Sequence, residues 1–199
     1  VVSDIRDSNS LRALEGLSDE DVIGMAGKLL DLGETELTRR IISATSRNLE
    51  SERDDFRARA CGFLRRLHLY LRERGHRAEI LAHAERIETQ AARERNPEVR
   101  GGLIDLMGYI ANDLFVEGRR DDFARVCGLL IALAENEAAD GETRAAAARA
   151  LSSLNPWDVG RPLADALYGE DEALAALAAR VLRYLESSLT AKEIVESVV

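Results

Sequence analysis

The sequence predicts an all-α chain of stacked antiparallel helix pairs. Three observations carry that prediction. Apolar residues recur at spacings of three and four along most of the chain, as they do on one face of a helix. No sustained period-two alternation and no Asn-Gly or Asp-Gly hairpin interrupts them, since Asp140-Gly141 opens a helical stretch. The stretch Asp140 to Leu185 contains the same helix twice, and weaker copies of it precede it.

The elements follow in order. Ser10 caps a brief helix through Leu14 that Gly16 ends. Ser18 followed by Asp19, Glu20 and Asp21 starts a second: the hydroxyl accepts orphan N–H groups and the carboxylates face the positive end of the helix. Val22, Ile23, Ala26, Leu29 and Leu30 make its apolar stripe, and Gly33 breaks it. A third runs from Glu34 to about Leu49, with Leu37, Ile41, Ile42, Ala44, Thr45 and Leu49 near one side. Ser51 to Arg74 reads as the longest helix, with Phe56, Ala60, Phe63, Leu64, Leu67 and Leu71 as its core face, and Gly75 ends it. His76 to Arg95 reads as one further helix with Ile80, Leu81, Ala84, Ile87 and Ala91 inward. Asn96-Pro97 places an N-cap before a proline at the first helical position. Val99, Leu103, Leu106, Met107 and Ile110 follow, running towards Phe115 and Gly118. Asp121 or Asp122 opens the helix that carries Phe123, Val126, Cys127, Leu130 and Leu133.

The copies align without gaps. Arg144 to Leu154 overlays Ala175 to Leu185 at an offset of 31. Pro97 to Ile110 overlays Gly141 to Leu154 at 44, and Asp54 to Leu67 overlays Pro97 to Ile110 at 43. Arg57, Arg100 and Arg144 fall on one equivalent position in the first turn, where each is expected to bridge to a carboxylate or loop carbonyl of an adjacent repeat. Alanines at 145–148 and at 175, 176, 178 and 179 allow close helix approach, and Leu151, Leu154, Leu182 and Leu185 fill the layer between helices.

Pro97-Glu98-Val99-Arg100 through Leu106-Met107-Gly108-Tyr109-Ile110 resembles the first helix of a HEAT-like repeat, as does Arg144-Ala145-Ala146-Ala147 through Ala150-Leu151. Asn155-Pro156-Trp157-Asp158-Val159 through Leu167 resembles that family's linker and second helix. The 31-residue step is similar to the short HEAT-like repeats first named from phycobilin lyases, and the longer steps to HEAT or armadillo repeats. The resemblance spans 97–186 well, 52–96 fairly and 1–50 poorly. It implies a right-handed α-α superhelix, a HEAT/ARM-like solenoid. Residues 1–199 are then a single repeat domain: divergent helices at 1–50 and about four helix pairs over 51–199. Such repeats serve many partners, so the resemblance implies architecture far more than activity.

Composition narrows the function classes. At 199 residues with 46% hydrophobic content the chain is long enough to bury a core. No run of eighteen apolar residues occurs, so no membrane span is expected. No basic-then-apolar N-terminal pattern occurs either, and the first residue is Val rather than Met. Cys61 and Cys127 read as buried reduced thiols, and a cytoplasmic location is the expectation. Net charge is −9, which disfavours general nucleic-acid or anionic-membrane binding.

No catalytic, cofactor or metal constellation stands out. His76 and His83 are two helical turns apart, too far to share an ion, and Glu79 with His83 supplies only two ligands. The three histidines, with His68, read as solvated or half-buried. Gly24-Met25-Ala26-Gly27-Lys28 lacks the spacing and the Ser/Thr of a phosphate loop. Between 57 and 77 there are seven arginines against the single acid Glu73. Arg59, Arg65, Arg66, Arg72, Arg74 and Arg77 are therefore candidate contacts for an anion or an acidic partner, set against a solvated face neutralised by acids on neighbouring helices. Trp157 is expected to plug the repeat junction, with an exposed interaction hot spot as the alternative.

The expected function is a non-enzymatic scaffold for a protein partner. The alternatives are an enzyme on HEAT-like repeats (bilin-lyase-like or DNA-glycosylase-like) or a subunit of a larger assembly. The apolar tail Thr190 to Val199 is a candidate homodimer contact.

Overall fold

The computed structural model describes residues 18–186, except the side chains of Leu37 and Glu186. The helix expected at 10–14 and the tail at 190–199 lie outside the described residues. Among them the chain is all-helical, with ten helices and no strand. These are α1 (Asp19–Asp31), α2 (Thr35–Asn48), α3 (Asp54–Glu73), α4 (Arg77–Leu81) and α5 (Ala84–Arg93), then α6 (Pro97–Val116), α7 (Arg120–Glu135), α8 (Gly141–Ser152), α9 (Pro156–Ala166) and α10 (Glu172–Glu186). Helices α3, α6, α8 and α10 start 43, 44 and 31 residues apart, at the registers the aligned copies define. Contacts divide the chain into two compact units, Val1–Gln90 and Ala91–Val199, with the division inside α5.

In the first unit α1 packs on α2 and α3, and α2 packs on α3 and α4. Ser18 caps α1 as its sequence dictates, accepting the Asp21 N–H at 3.2 Å. Ile23, Ala26, Leu29, Ile42, Leu49, Leu64, Leu67, Leu71 and Ile80 form the core. Two polar ties cross it. The Thr38 hydroxyl donates to the Ala26 carbonyl at 3.1 Å, and Arg39 pairs with the nearly buried Glu79 at 2.6 Å. Gly75 ends α3 at φ 79°, a left-handed conformation that a side chain disfavours. The helix expected over 76–95 is two helices. At the join the ladder tightens to an i→i−3 bond from the His83 N–H to the Ile80 carbonyl at 2.9 Å.

Phe56 departs from its expected core position. It is 42% exposed, and the Arg53 guanidinium lies over its ring at 4.4 Å. The helix starts at Asp54, so Phe56 stands in its first turn, ahead of the buried stripe that begins at Ala60. His68 also departs from expectation: it is fully buried, one position past Leu67 on the apolar face.

In the second unit α6 packs against α7, α8 and α9, while α8 also packs on α7 and α10. Helix α10 lies against α7 and α9 as well. The stripe expected on α6 (Val99, Leu103, Leu106, Met107, Ile110) is buried, and so are Ile104, Gly108 and Ala111 to Phe115. Being covered by three helices makes α6 the axis of this unit rather than a surface helix. Ring-edge packing of Phe115 on Phe123, at 4.9 Å between centroids, closes its C-terminal end against α7. On α8 and α10 only Ala146, Ala147 and Ala178 of the expected small-residue surface are buried; Ala148 and Ala175 are half-buried, Ala145, Ala176 and Ala179 are exposed, and Leu182 is half-buried. The Asn112 side-chain oxygen accepts the Asn155 N–H at 2.9 Å and fixes the entry to α9.

The repeated arginine behaves alike in its first two copies. Arg57 donates to the Ser51 carbonyl at 2.8 Å, and Arg100 donates to the Glu94 carbonyl at 2.7 Å, each six residues back. Arg100 also reaches Asp140, the N-cap of α8, and Thr143 in its first turn, both at 3.4 Å. Arg144, the third copy, is exposed and makes no such bond to a described residue.

Asp140 caps α8, accepting the Thr143 N–H at 2.8 Å and its hydroxyl at 2.7 Å. These two bonds, then the Arg100 charge, hold the Asp140 carboxyl below the ordinary carboxylate range. The folded state thus prefers the ionised form. The stabilisation is present above the unfolded-state value, about pH 4, and is lost as pH falls through the lower folded one. Urea midpoints measured down the acid limb are expected to fall less steeply in Asp140→Asn, which keeps a capping oxygen without the titration. Equal slopes in the two proteins would show that Asp140 does not carry this dependence.

Candidate functional site

Two surfaces qualify, one in each unit. In the second unit α9 starts at Pro156, so Trp157 belongs to its first turn rather than to a linker, with Asn155 capping at 3.1 Å from the Trp157 N–H. The buried residues of α9 are Val159 and Leu163. At about 100° per residue, Trp157 points away from both, while Arg161 and Ala164 fall on its side; Tyr168 lies in the turn two residues past the helix end. Trp157 is 76% exposed and Tyr168 is 91% exposed. The expectation that Trp157 plugs a junction is therefore corrected: it stands in solvent because its helix buries the opposite face. Arg161, one helical turn after Trp157, is exposed.

In the first unit the structure divides the arginine-rich segment. Arg66 pairs with Asp19 and lies 3.9 Å from Glu20. Arg74 pairs with Asp31 and covers the Tyr70 ring at 4.8 Å. His76 faces the same Asp31 at 3.8 Å. The acids of α1 thus neutralise two of the candidate arginines on α3, and Arg57 is matched by Asp54 at 2.7 Å. Arg72 and Arg77 are half-buried. Arg59 and Arg65 are exposed and make no ion pair with a described residue. Of the six candidate arginines, Arg66 and Arg74 are thus paired with acids of α1.

Arg59 contributes to something else. It lines an open cleft of about 500 Å³ between α1, α2 and α3, together with Arg47 and Asn48. The remaining lining is mixed: Val22, Ile41, Ala44, Phe56, Ala60 and Phe63 are its apolar part, and Thr45 adds a polar one. Sequence reading missed Arg47, because it lies twelve residues before Arg59 on another helix and outside the arginine-rich run. Asp19 also lines the cleft, with its carboxylate engaged by Arg66.

The remaining chemistry is sparse. Among the described residues no group of three or more His, Cys, Asp or Glu is placed to hold a metal ion. His83 is half-buried, and burial followed by the nearby Arg86 charge holds its imidazole below the ordinary value. Glu79, four residues before it, is committed to Arg39. Cys61 and Cys127 are buried and form no disulfide, and burial pushes the Cys127 thiol well above the usual range, away from nucleophilic use at neutral pH. No described helix is long and apolar enough to cross a membrane. No protein-family model, no curated protein and no solved structure matches the chain.

Proposed function

We propose that the chain is a non-enzymatic scaffold of HEAT-like helix pairs that binds a protein partner through the outer face of α9. The observation that carries this reading is the exposure of Trp157, in the first turn of a helix whose other side is packed, together with that of Tyr168 in the turn just past its end. Trp, Tyr and Arg are the residues that dominate binding energy at interfaces, and Arg161, four residues after Trp157 on the same helix, is exposed too. Two large aromatic surfaces left in water are compensated by burial against a partner. The repeat reading is supported by the helix starts at 54, 97, 141 and 172 and by the shared carbonyl clamp of Arg57 and Arg100. The contact of α10 with α7 accompanies the shortening of the last step to 31 residues, where α9 is only 11 residues long.

Affinity capture from the native source with the wild type and with Trp157→Ala/Tyr168→Ala tests it. A stoichiometric protein partner is expected with the wild type. The double variant should bind it at least about thirtyfold more weakly, the equivalent of losing about 2 kcal/mol at a hot spot. Thermal melting should be unchanged, because neither ring contributes to the core. A partner retained equally by both proteins would remove α9 as the contact.

A further inference from the structure

We infer that the cleft between α1, α2 and α3 is a binding site for a small amphipathic carboxylate, its apolar body against the cleft walls and its carboxylate held by Arg47 and Arg59. The inference is independent of the α9 surface, which belongs to the other unit. Three features combine. The volume, about 500 Å³, falls in the range of small-molecule sites, about 300–1,000 Å³. Phe56, 42% exposed, supplies the apolar surface of the cleft, backed by the buried Ile41 and Phe63. Most important is the charge at the cleft. Acids outnumber bases in this chain, 36 to 27, yet neither Arg47 nor Arg59 makes an ion pair with a described residue. The one carboxylate among the lining residues, Asp19, is taken by Arg66. Two guanidiniums beside an apolar wall match a ligand that carries one negative head and an apolar body, since charge-assisted bonds to a carboxylate are the strong ones Arg makes. Asn48, also lining the cleft, adds amide donors of the same preference.

The test is calorimetric titration of the full chain with octanoate, and with octanol as the uncharged probe of equal length. Octanoate is expected to bind saturably at one site per chain, and octanol about tenfold or more weakly. Arg47→Gln/Arg59→Gln should erase that difference by lowering octanoate affinity to the octanol value. Both residues are exposed, so this variant is expected to melt as the wild type does. A second variant, Ala44→Trp, fills the cleft from its half-buried rim and should abolish binding of both probes. Absence of saturable octanoate binding, equal affinity for the two probes, or full octanoate affinity in the double arginine variant would each overturn the inference.

Discussion

Leu151→Ala is expected to cost about 2–5 kcal/mol of folding free energy. Leu151 is fully buried on α8, and α8 packs on α6, α7 and α10. Removing its branched end loses the transfer free energy of the side chain and leaves a cavity that three helices cannot all close upon. Folded domains hold only about 5–15 kcal/mol in total, so the variant should lower the urea midpoint substantially. The matched control is Leu129→Ala on α7, where the side chain is 41% exposed and little cavity forms. Its loss should stay below about 1 kcal/mol. A Leu151→Ala loss under about 0.5 kcal/mol is the value expected of a surface leucine and would contradict its place in the core.

That position is legible from sequence for a simple physical reason. Periodicity reports which side of a helix is apolar, and Leu151 lies on the side shared with Ala146, Ala147, Ala150 and Leu154, all of them buried. The aligned copies likewise match the starts of α3, α6, α8 and α10, and at α6 and α8 the capping side chains of Asn96 and Asp140 mark them. Misreadings arose where the outcome depends on neighbours. Whether Phe56 sits in the core or beneath Arg53 depends on where α3 begins, and no capping side chain marks that start. His68 stands four residues after Leu64 and three before Leu71, a burial signal overridden by the polarity of its ring. Trp157 was assigned to a linker because two prolines flank it, yet Pro156 opens α9 and Pro162 lies within it.

The candidate site was legible only in part, for the same reason. A run of seven arginines suggests a cationic face, but the acids that neutralise Arg66 and Arg74 come from α1, more than forty residues earlier. The pairing of Arg59 with Arg47 in one cleft likewise depends on how α2 meets α3. Composition counted these charges correctly; only the packing of the helices decides which of them remain available.

Glycine to alanine substitutions on α6 are expected to have opposite signs at two positions. Glycine inside a helix ordinarily costs about 1 kcal/mol against alanine, because the unfolded chain loses more freedom on ordering. Gly101→Ala should recover up to about that amount, since a Cβ built there meets nothing within 4 Å. Gly108 is different. A Cβ there would lie 2.9 Å from the Ala150 carbonyl oxygen and 3.1 Å from the Ala150 Cα, both backbone atoms of α8. No rotamer change relieves that contact, so α6 and α8 must separate or the helix must distort. Overpacking of this kind costs about 1–3 kcal/mol, which outweighs the propensity gain, and Gly108→Ala should destabilise the protein. Ala150→Gly in the same background removes only the Cβ at 3.1 Å and should restore stability incompletely, because the carbonyl remains. The two helices begin at equivalent points of the aligned copies, so this contact also fixes how one copy sits on the next. Equilibrium urea unfolding of the single and double variants measures all of these terms. If Gly108→Ala gains as much stability as Gly101→Ala, α6 and α8 do not approach at Gly108, and the packing of the two copies has to be placed elsewhere along the helices.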